Sequence, residues 1–187
     1  KTAVAEVAMY KAVRGGYQAV MMAPTEILAH QHFEGLEKSF AVHGIRVGFL
    51  SGSLKASEKR ETLERLKNGE IDILVGTHAV IQPEVEFANL GLVITDEQHR
   101  FGVNQRIQLK EKGKNPNILV MTATPIPRTL AVVLYGDLDV SVIDEMPPGR
   151  QVIKTRNLNG EKRDACYDFV EKQLQQGRQA YVVTPLI

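Results

Sequence analysis

The chain has 187 residues, 43% of them hydrophobic and 24% charged, with a formal net charge of +1. That is enough apolar material for one globular domain with a packed core plus a remnant of another, and no stretch approaches the roughly 18 consecutive apolar residues of a membrane helix. The single cysteine, Cys166, excludes an internal disulfide framework, and five scattered histidines offer no zinc-ligand spacing.

A reducing, cytoplasmic setting with no membrane association is expected. The small net charge gives no broad electrostatic footprint for nucleic acid, although backbone amides and helix N-termini can grip phosphates without one.

In chain order, residues 2–14 predict a helix with Val4, Val7 and Ala8 at helical spacing and Gly15-Gly16 as its stop. A strand at Ala19–Ala23 leads to a helix capped by Thr25, with Ala29, Phe33, Leu36 and Phe40 as its apolar stripe. Strand Arg46–Leu50, turn Ser51-Gly52-Ser53, a helix near Glu58–Lys67 and strand Asp72–Val75 follow. Two more apolar strands, Leu92–Thr95 and Ile118–Met121, are separated by a helix at Asn104–Lys112, and a further helix spans Arg128–Tyr135. Val140–Ile143 predicts one more strand. Met146-Pro147-Pro148-Gly149-Arg150 breaks the pattern as a linker. Strand Val152–Thr155, helix Glu161–Gln176 and strand Ala180–Thr184 then begin a second α/β unit. Short strands without a polar face, alternating with helices, imply a mostly parallel sheet covered on both sides.

Several strand ends carry polar clusters. Asp96-Glu97-Gln98-His99 follows Leu92–Thr95, and Thr122-Ala123-Thr124-Pro125 follows Ile118–Met121. In an open α/β sheet, the crevice at such carboxyl ends is where ligands bind. An Asp there can hold Mg²⁺ on nucleotide phosphates, and the adjacent Glu can take a proton from attacking water. The same pair also fits a helix cap with a Glu in the first turn. Lys1-Thr2 match the last two residues of a G-x-x-x-x-G-K-S/T phosphate loop whose glycines would lie upstream. Pro24-Thr25, Gly52 and Thr77-His78 each follow a strand, either as ordinary turn chemistry or as a track of amides and hydroxyls for a phosphate backbone. His30 and His32, two apart, read as surface residues. Arg100, Arg106, Lys110, Lys112 and Lys114 read as a solvated basic face rather than a nucleic-acid site.

Taken together, Lys1-Thr2, Pro24-Thr25-Glu26, Val75-Gly76-Thr77-His78, Asp96-Glu97-Gln98-His99 and Thr122-Ala123-Thr124-Pro125 resemble, in order, the signature motifs of superfamily 2 DExH helicases. The longer strings over Asp96–Val103 and Met121–Leu130 resemble two bacterial branches, the RecG type of branch-migrating helicase and the transcription-repair coupling factors. Gln98 and the run Gly136–Arg150 favour the first. The resemblance implies a RecA-like P-loop NTPase fold, with a first motor lobe at 1–145, a linker at 146–150 and the start of a second lobe at 151–187.

It also implies ATP and Mg²⁺ as cofactors and branched duplex DNA, at forks and Holliday junctions, as partner to a monomeric enzyme. Lys1 and Thr2 would bind the nucleotide, with Thr2 and Asp96 on Mg²⁺. Asp96 and Glu97 would be catalytic, and Gln98 and His99 would lie against the nucleotide. Pro24, Thr25, Gly52, Thr77 and His78 would touch DNA, and Thr122, Ala123 and Thr124 would couple hydrolysis to movement. With the phosphate-loop glycines and the arginine motif of the second lobe outside it, the chain alone is expected to be inactive. A coupling-factor motor, a non-catalytic nucleic-acid-binding module and a small nucleotide kinase are the alternatives. The threonine cluster and the second α/β unit argue against the kinase.

Overall fold

Five short apolar runs become strands: β1 Gln18–Met22, β2 Val47–Leu50, β3 Ile73–Gly76, β4 Leu90–Thr95 and β5 Asn117–Val120. They are interleaved with helices α1 Thr2–Arg14, α2 Glu26–Ala41 and α3 Ala56–Lys67, and with a 3₁₀ turn at His78–Ile81. The computed structural model describes residues 1–96, 108–109, 111–123, 139–145 and 149–184. The chain divides into two units, Lys1–Gly136 and Asp137–Ile187.

In the first unit the strands form one sheet in the order β2-β3-β1-β4-β5, and every pairing is parallel. Leu50 pairs with Gly76, Gly76 with Met22, Met22 with Thr95, and Thr95 with Val120. These five residues make one row across the sheet, and all five carboxyl ends leave it on the same edge.

Side chains alternate between the two faces. Ala19, Met21, Ile73, Val75, Leu92 and Ile94 pack with Ala5 and Met9 of α1 and with Leu36 and Phe40 of α2. Val20, Met22, Leu50, Leu74 and Val93 pack on the other face with Leu66 of α3, with Ala79 and Val80 of the 3₁₀ turn, and with Leu109. Helices on both faces of a parallel sheet are thus observed, as the apolar strands imply.

Some expectations need correcting. Helix α1 forms, but it buries Ala5 and Met9, while Val4 and Val7 are 55% and 60% exposed. Its contact face is turned from the valines, because the close approach to β1 and β4 accommodates an alanine and a flexible methionine. Of the expected helix Asn104–Lys112, Gln108, Leu109 and Glu111 are helical, and the rest except Lys112 lies outside the described residues. The expected helix Arg128–Tyr135 lies outside them altogether, as do Met146, Pro147 and Pro148 of the linker.

Lys112 is not part of a solvated basic face. Its ammonium donates to the carbonyls of Gln82 at 2.7 Å and Val85 at 2.9 Å. Burial lowers its pKa against the opposing pull of Glu84 and Glu86.

In the second unit a 3₁₀ turn, Gly160–Lys162, leads into helix Arg163–Gln175. It ends where Gly177, at φ 76°, returns its N–H to Leu174. Cys166, Val170 and Gln173 are half-buried at helical spacing. The expected strands Val140–Ile143, Val152–Thr155 and Ala180–Thr184 are not formed. A strand exists only where a neighbour accepts its ladder, and no described residue of this unit supplies one. Val152 and Val183 stand 90% and 91% exposed.

Two polar ties fasten the amino edge of the sheet. Gln18 is buried at the start of β1, and its amide donates to the carbonyls of Leu66 at 2.9 Å and Ile71 at 2.8 Å. Its oxygen accepts from Asn89 N–H at 2.9 Å. One side chain thereby joins the end of α3, the entry to β3 and the entry to β4. Next to it, Asp72 accepts from the Arg46 backbone at 2.7 Å and from the guanidinium at 3.0 and 2.8 Å. Burial alone would raise the Asp72 pKa, but the Arg46 hydrogen bonds and charge outweigh it and the net shift is downward.

Gln18→Leu strands two carbonyls and an amide, so urea unfolding is expected to show a loss of about 2–4 kcal/mol. A carboxyl with a depressed folded pKa stabilises above its ordinary pKa, and that contribution disappears as pH falls through the folded value. Asp72→Asn is therefore expected to lower stability at neutral pH and to flatten the fall in melting temperature below about pH 4. An unchanged acid limb would mean the pair contributes nothing.

Candidate functional site

The row Leu50, Gly76, Met22, Thr95 and Val120 sets what comes next on every strand. The ladder continues one residue further: Thr77 N–H donates to Leu50 at 3.3 Å, Ala23 to Gly76 at 2.9 Å, Asp96 to Met22 at 3.0 Å and Met121 to Thr95 at 2.9 Å. Ser51, Thr77, Ala23, Asp96 and Met121 therefore line up along the carboxyl edge, spaced by strand neighbours about 4.8 Å apart. Gly52, His78, Pro24 and Thr122 lie one position beyond. Asp96 sits between the end of β1 and the end of β5. Chain connections depart from β1 toward β2 on one side and return to β4 on the other, and such a switch point opens a crevice.

Helix α1 enters β1 through Gly15–Tyr17, so its other end, Lys1-Thr2, lies toward the same edge. Lys1 is the N-cap, and its carbonyl accepts from Val4 at 3.0 Å and Ala5 at 3.2 Å. Thr2 is exposed in the first turn, where the N–H groups and helix dipole favour an anion.

Thr25 caps α2 in an extended conformation, its hydroxyl accepting from Leu28 N–H at 3.3 Å. The neighbouring Glu26 holds the β2 turn. Ser51 donates to its carboxylate at 2.9 Å, and Ser53 donates to the same oxygen. Ser53 first, then Ser51, holds the Glu26 carboxyl below its usual range, with a smaller opposing effect of burial and a small help from His30. The Pro24-Thr25 and Ser51-Gly52-Ser53 ends are thus joined by one carboxylate. On β3, Gly76 has no room for a side chain. A Cβ would fall on the Leu50 carbonyl and 2.7 Å from Val80, so this glycine lets β2 and β3 close up and brings Thr77 into line.

One residue belongs to the site that sequence reasoning placed at the surface. His32 is turned inward with its side chain 10% exposed, and its Nε2 lies 2.9 Å from the Asp96 carboxylate, itself 12% exposed. Helical spacing held the signal: His32 lies three positions after Ala29 and four before Leu36, both buried against the sheet. His30 is exposed but stacks on Phe49 with centroids 4.2 Å apart.

Among the described residues no group of three or more His, Cys, Asp or Glu side chains could hold a metal by itself. Mg²⁺ binds through one or two carboxylates plus phosphates and water rather than an all-protein cage. Asp96 offers the hard oxygen, and the fully buried Thr95 hydroxyl beside it has no partner among the described residues. Glu97, Gln98, His99 and Thr124 lie outside the described residues. Thr122 and Ala123 follow β5, next to the strand that carries Asp96.

The sequence of the DEAD/DEAH box helicase family matches residues 1–133. The ATP-dependent DNA helicase RecG of Bacillus subtilis (strain 168) is 58% identical over 187 residues, which is 100% of this chain and 27% of that protein. The RecG of Aquifex aeolicus (strain VF5) is 51% identical over 189 residues, covering 100% of this chain and 24% of that one. The chain thus spans about a quarter of the length of these curated relatives. A solved structure of RecG bound to a three-way DNA junction matches with TM-score 0.80 and 47% identity, over 99% of this chain and 25% of that one. The Mycobacterium smegmatis helicase Lhr, bound to single-stranded DNA and AMP-PNP, matches with TM-score 0.54 and 18% identity over 68% of this chain and 17% of its own, a likeness of fold alone. Among the described residues no helix is long and apolar enough to cross a membrane.

Glu26→Ala releases the β2 turn from α2. Amide exchange at Gly52 and Ser53 is expected to quicken about 5- to 10-fold while that of β1 stays unchanged. Equal exchange in both proteins would mean the turn is held by its own backbone.

Proposed function

Because the chain belongs to the DEAD/DEAH box helicase family, we propose that it is motor machinery of an ATP-dependent, RecG-type DNA helicase that remodels branched duplex DNA in the bacterial cytoplasm. The observation that carries this reading is the single carboxyl edge on which Asp96 stands between Thr77 and Pro24-Thr25 on one flank and Thr122 on the other. A nucleotide site and a backbone track that share one edge are what a motor needs. The likeness to a RecG bound to a three-way junction supports the choice of DNA.

In this reading residues 1–145 are the first RecA-like lobe, 146–150 the linker and 151–187 the start of the second lobe. The protein acts as a monomer. Bound MgATP supplies the phosphoanhydride whose cleavage drives movement. Lys1 neutralises phosphate charge at the N-terminus of α1, and Thr2 offers a hydroxyl to Mg²⁺. Asp96 would hold Mg²⁺, Glu97 would serve as the base that accepts the proton of the attacking water, and Gln98 and His99 would serve the nucleotide. Pro24, Thr25, Gly52, Thr77 and His78 hold the DNA backbone with amides and hydroxyls. Contacts of that kind set position rather than sequence preference. Thr122 and Ala123, which follow the strand beside the one that leads to Asp96, would together with Thr124 bias the lobe between two grips on DNA as the nucleotide changes.

In the full-length protein, Glu97→Gln keeps the shape of the carboxylate but cannot accept a proton. DNA-stimulated ATP turnover is expected to fall roughly 10²–10⁴-fold, with MgATP binding retained. Loss of binding in step with turnover would make Glu97 structural and the catalytic assignment wrong.

A further inference from the structure

Among the described residues helix α2 has three attachments. At its N-terminus Thr25 caps it and Glu26 holds Ser51 and Ser53, which fixes it to the edge where DNA is to bind. Along its length Phe33 and His30 lie against Phe49 of β2, while Ala29, Leu36 and Phe40 are buried on the sheet. The third attachment is His32 Nε2 on the Asp96 carboxylate at 2.9 Å. A carboxylate can only accept, so His32 donates through its Nε2–H. Seven residues separate Thr25 from His32, a rise of about 10 Å along one face of a continuous helix.

A rigid helix held at both points cannot shift at its N-terminus without moving the imidazole. The imidazole in turn restrains one oxygen of the carboxylate, Oδ2, and so acts on what Asp96 presents to a cation. We propose that His32 is a positioning residue: it orients Asp96 for Mg²⁺ and carries the state of the DNA-facing end of α2 to the nucleotide site. This rests on the reading of Asp96 and Thr25 given under Proposed function and adds the physical link between them. The partner that would drive the link is a phosphodiester backbone at Thr25 and the Ser51–Ser53 turn, and the ligand that would feel it is a magnesium nucleotide.

The test uses the full-length protein and a fluorescent non-hydrolysable ATP analogue, titrated with Mg²⁺ in the presence and absence of a three-way DNA junction. His32→Ala is expected to raise the Mg²⁺ concentration for half-maximal nucleotide binding about 10-fold, as partners of metal-binding carboxylates do. It is also expected to abolish the change that the junction produces, while junction affinity without nucleotide is unaltered. His32→Gln places an amide N–H where Nε2 stood and is expected to restore both properties. His32→Asn is too short to do so. If the alanine variant does not fold, the Gln and Asn pair decides the matter.

Wild-type Mg²⁺ titration and an intact junction response in both His32→Ala and His32→Asn would overturn the proposal. So would equal loss in the Gln and Asn variants together with a lowered melting temperature, which would make His32 a packing residue. An unsubstituted protein that binds no magnesium nucleotide would instead overturn the reading of the site itself.

Discussion

Parallel strands cannot be joined by a tight turn, and every structural consequence in the first unit follows from that constraint. Each strand must be followed by a return across the sheet, so the backbone reaches the same edge at the end of β1, β2, β3, β4 and β5. The row from Leu50 through Gly76, Met22 and Thr95 to Val120 keeps those ends level. Residues far apart in sequence, such as Ser51, Thr77 and Asp96, therefore line up on one edge without any side chain having to hold them there. The chemistry of the edge is then a matter of which residue follows each strand.

The two edges are built differently. At the amino edge, Gln18 and Asp72 each make three hydrogen bonds and are part of the scaffold. Gln18 closes on two carbonyls and an amide, and Asp72 on Arg46. A buried amide of this kind specifies one register, because any slip would leave its partners without hydrogen bonds. At the carboxyl edge, ties among the described residues run from the strand ends to α2, from Ser51 and Ser53 to Glu26 and between Asp96 and His32.

Much of this was legible in the sequence, for definite reasons. The strands of the first unit are short apolar runs between turns, and Thr25, with its hydroxyl on Leu28, caps the helix its position predicts. The polar residues after β1, β3, β4 and β5 could be picked out as site candidates because apolar runs rarely end that way by chance. What escaped depends on the third dimension. Periodicity marked the helix Thr2–Arg14 but not which of its faces would meet the sheet, and the valines lost to Ala5 and Met9. His32 looked like a surface histidine because its partner is 64 positions away. The apolar runs at 140–143, 152–155 and 180–184 carry strand composition, but composition cannot supply the neighbour a strand must pair with.

At Gly76 backbone approaches backbone too closely for any side chain. Every amino acid other than glycine begins with a Cβ, and here that atom would fall on the Leu50 carbonyl, which cannot swing aside as the tip of a lysine or methionine could. In genetic terms the codon for Gly76 has no tolerable missense neighbour. Alanine and serine, the mildest replacements elsewhere, would prise β2 from β3 just before Thr77. Variation among natural copies of this gene should therefore be silent at that codon, even where the surface of α1 a few turns away is free to drift.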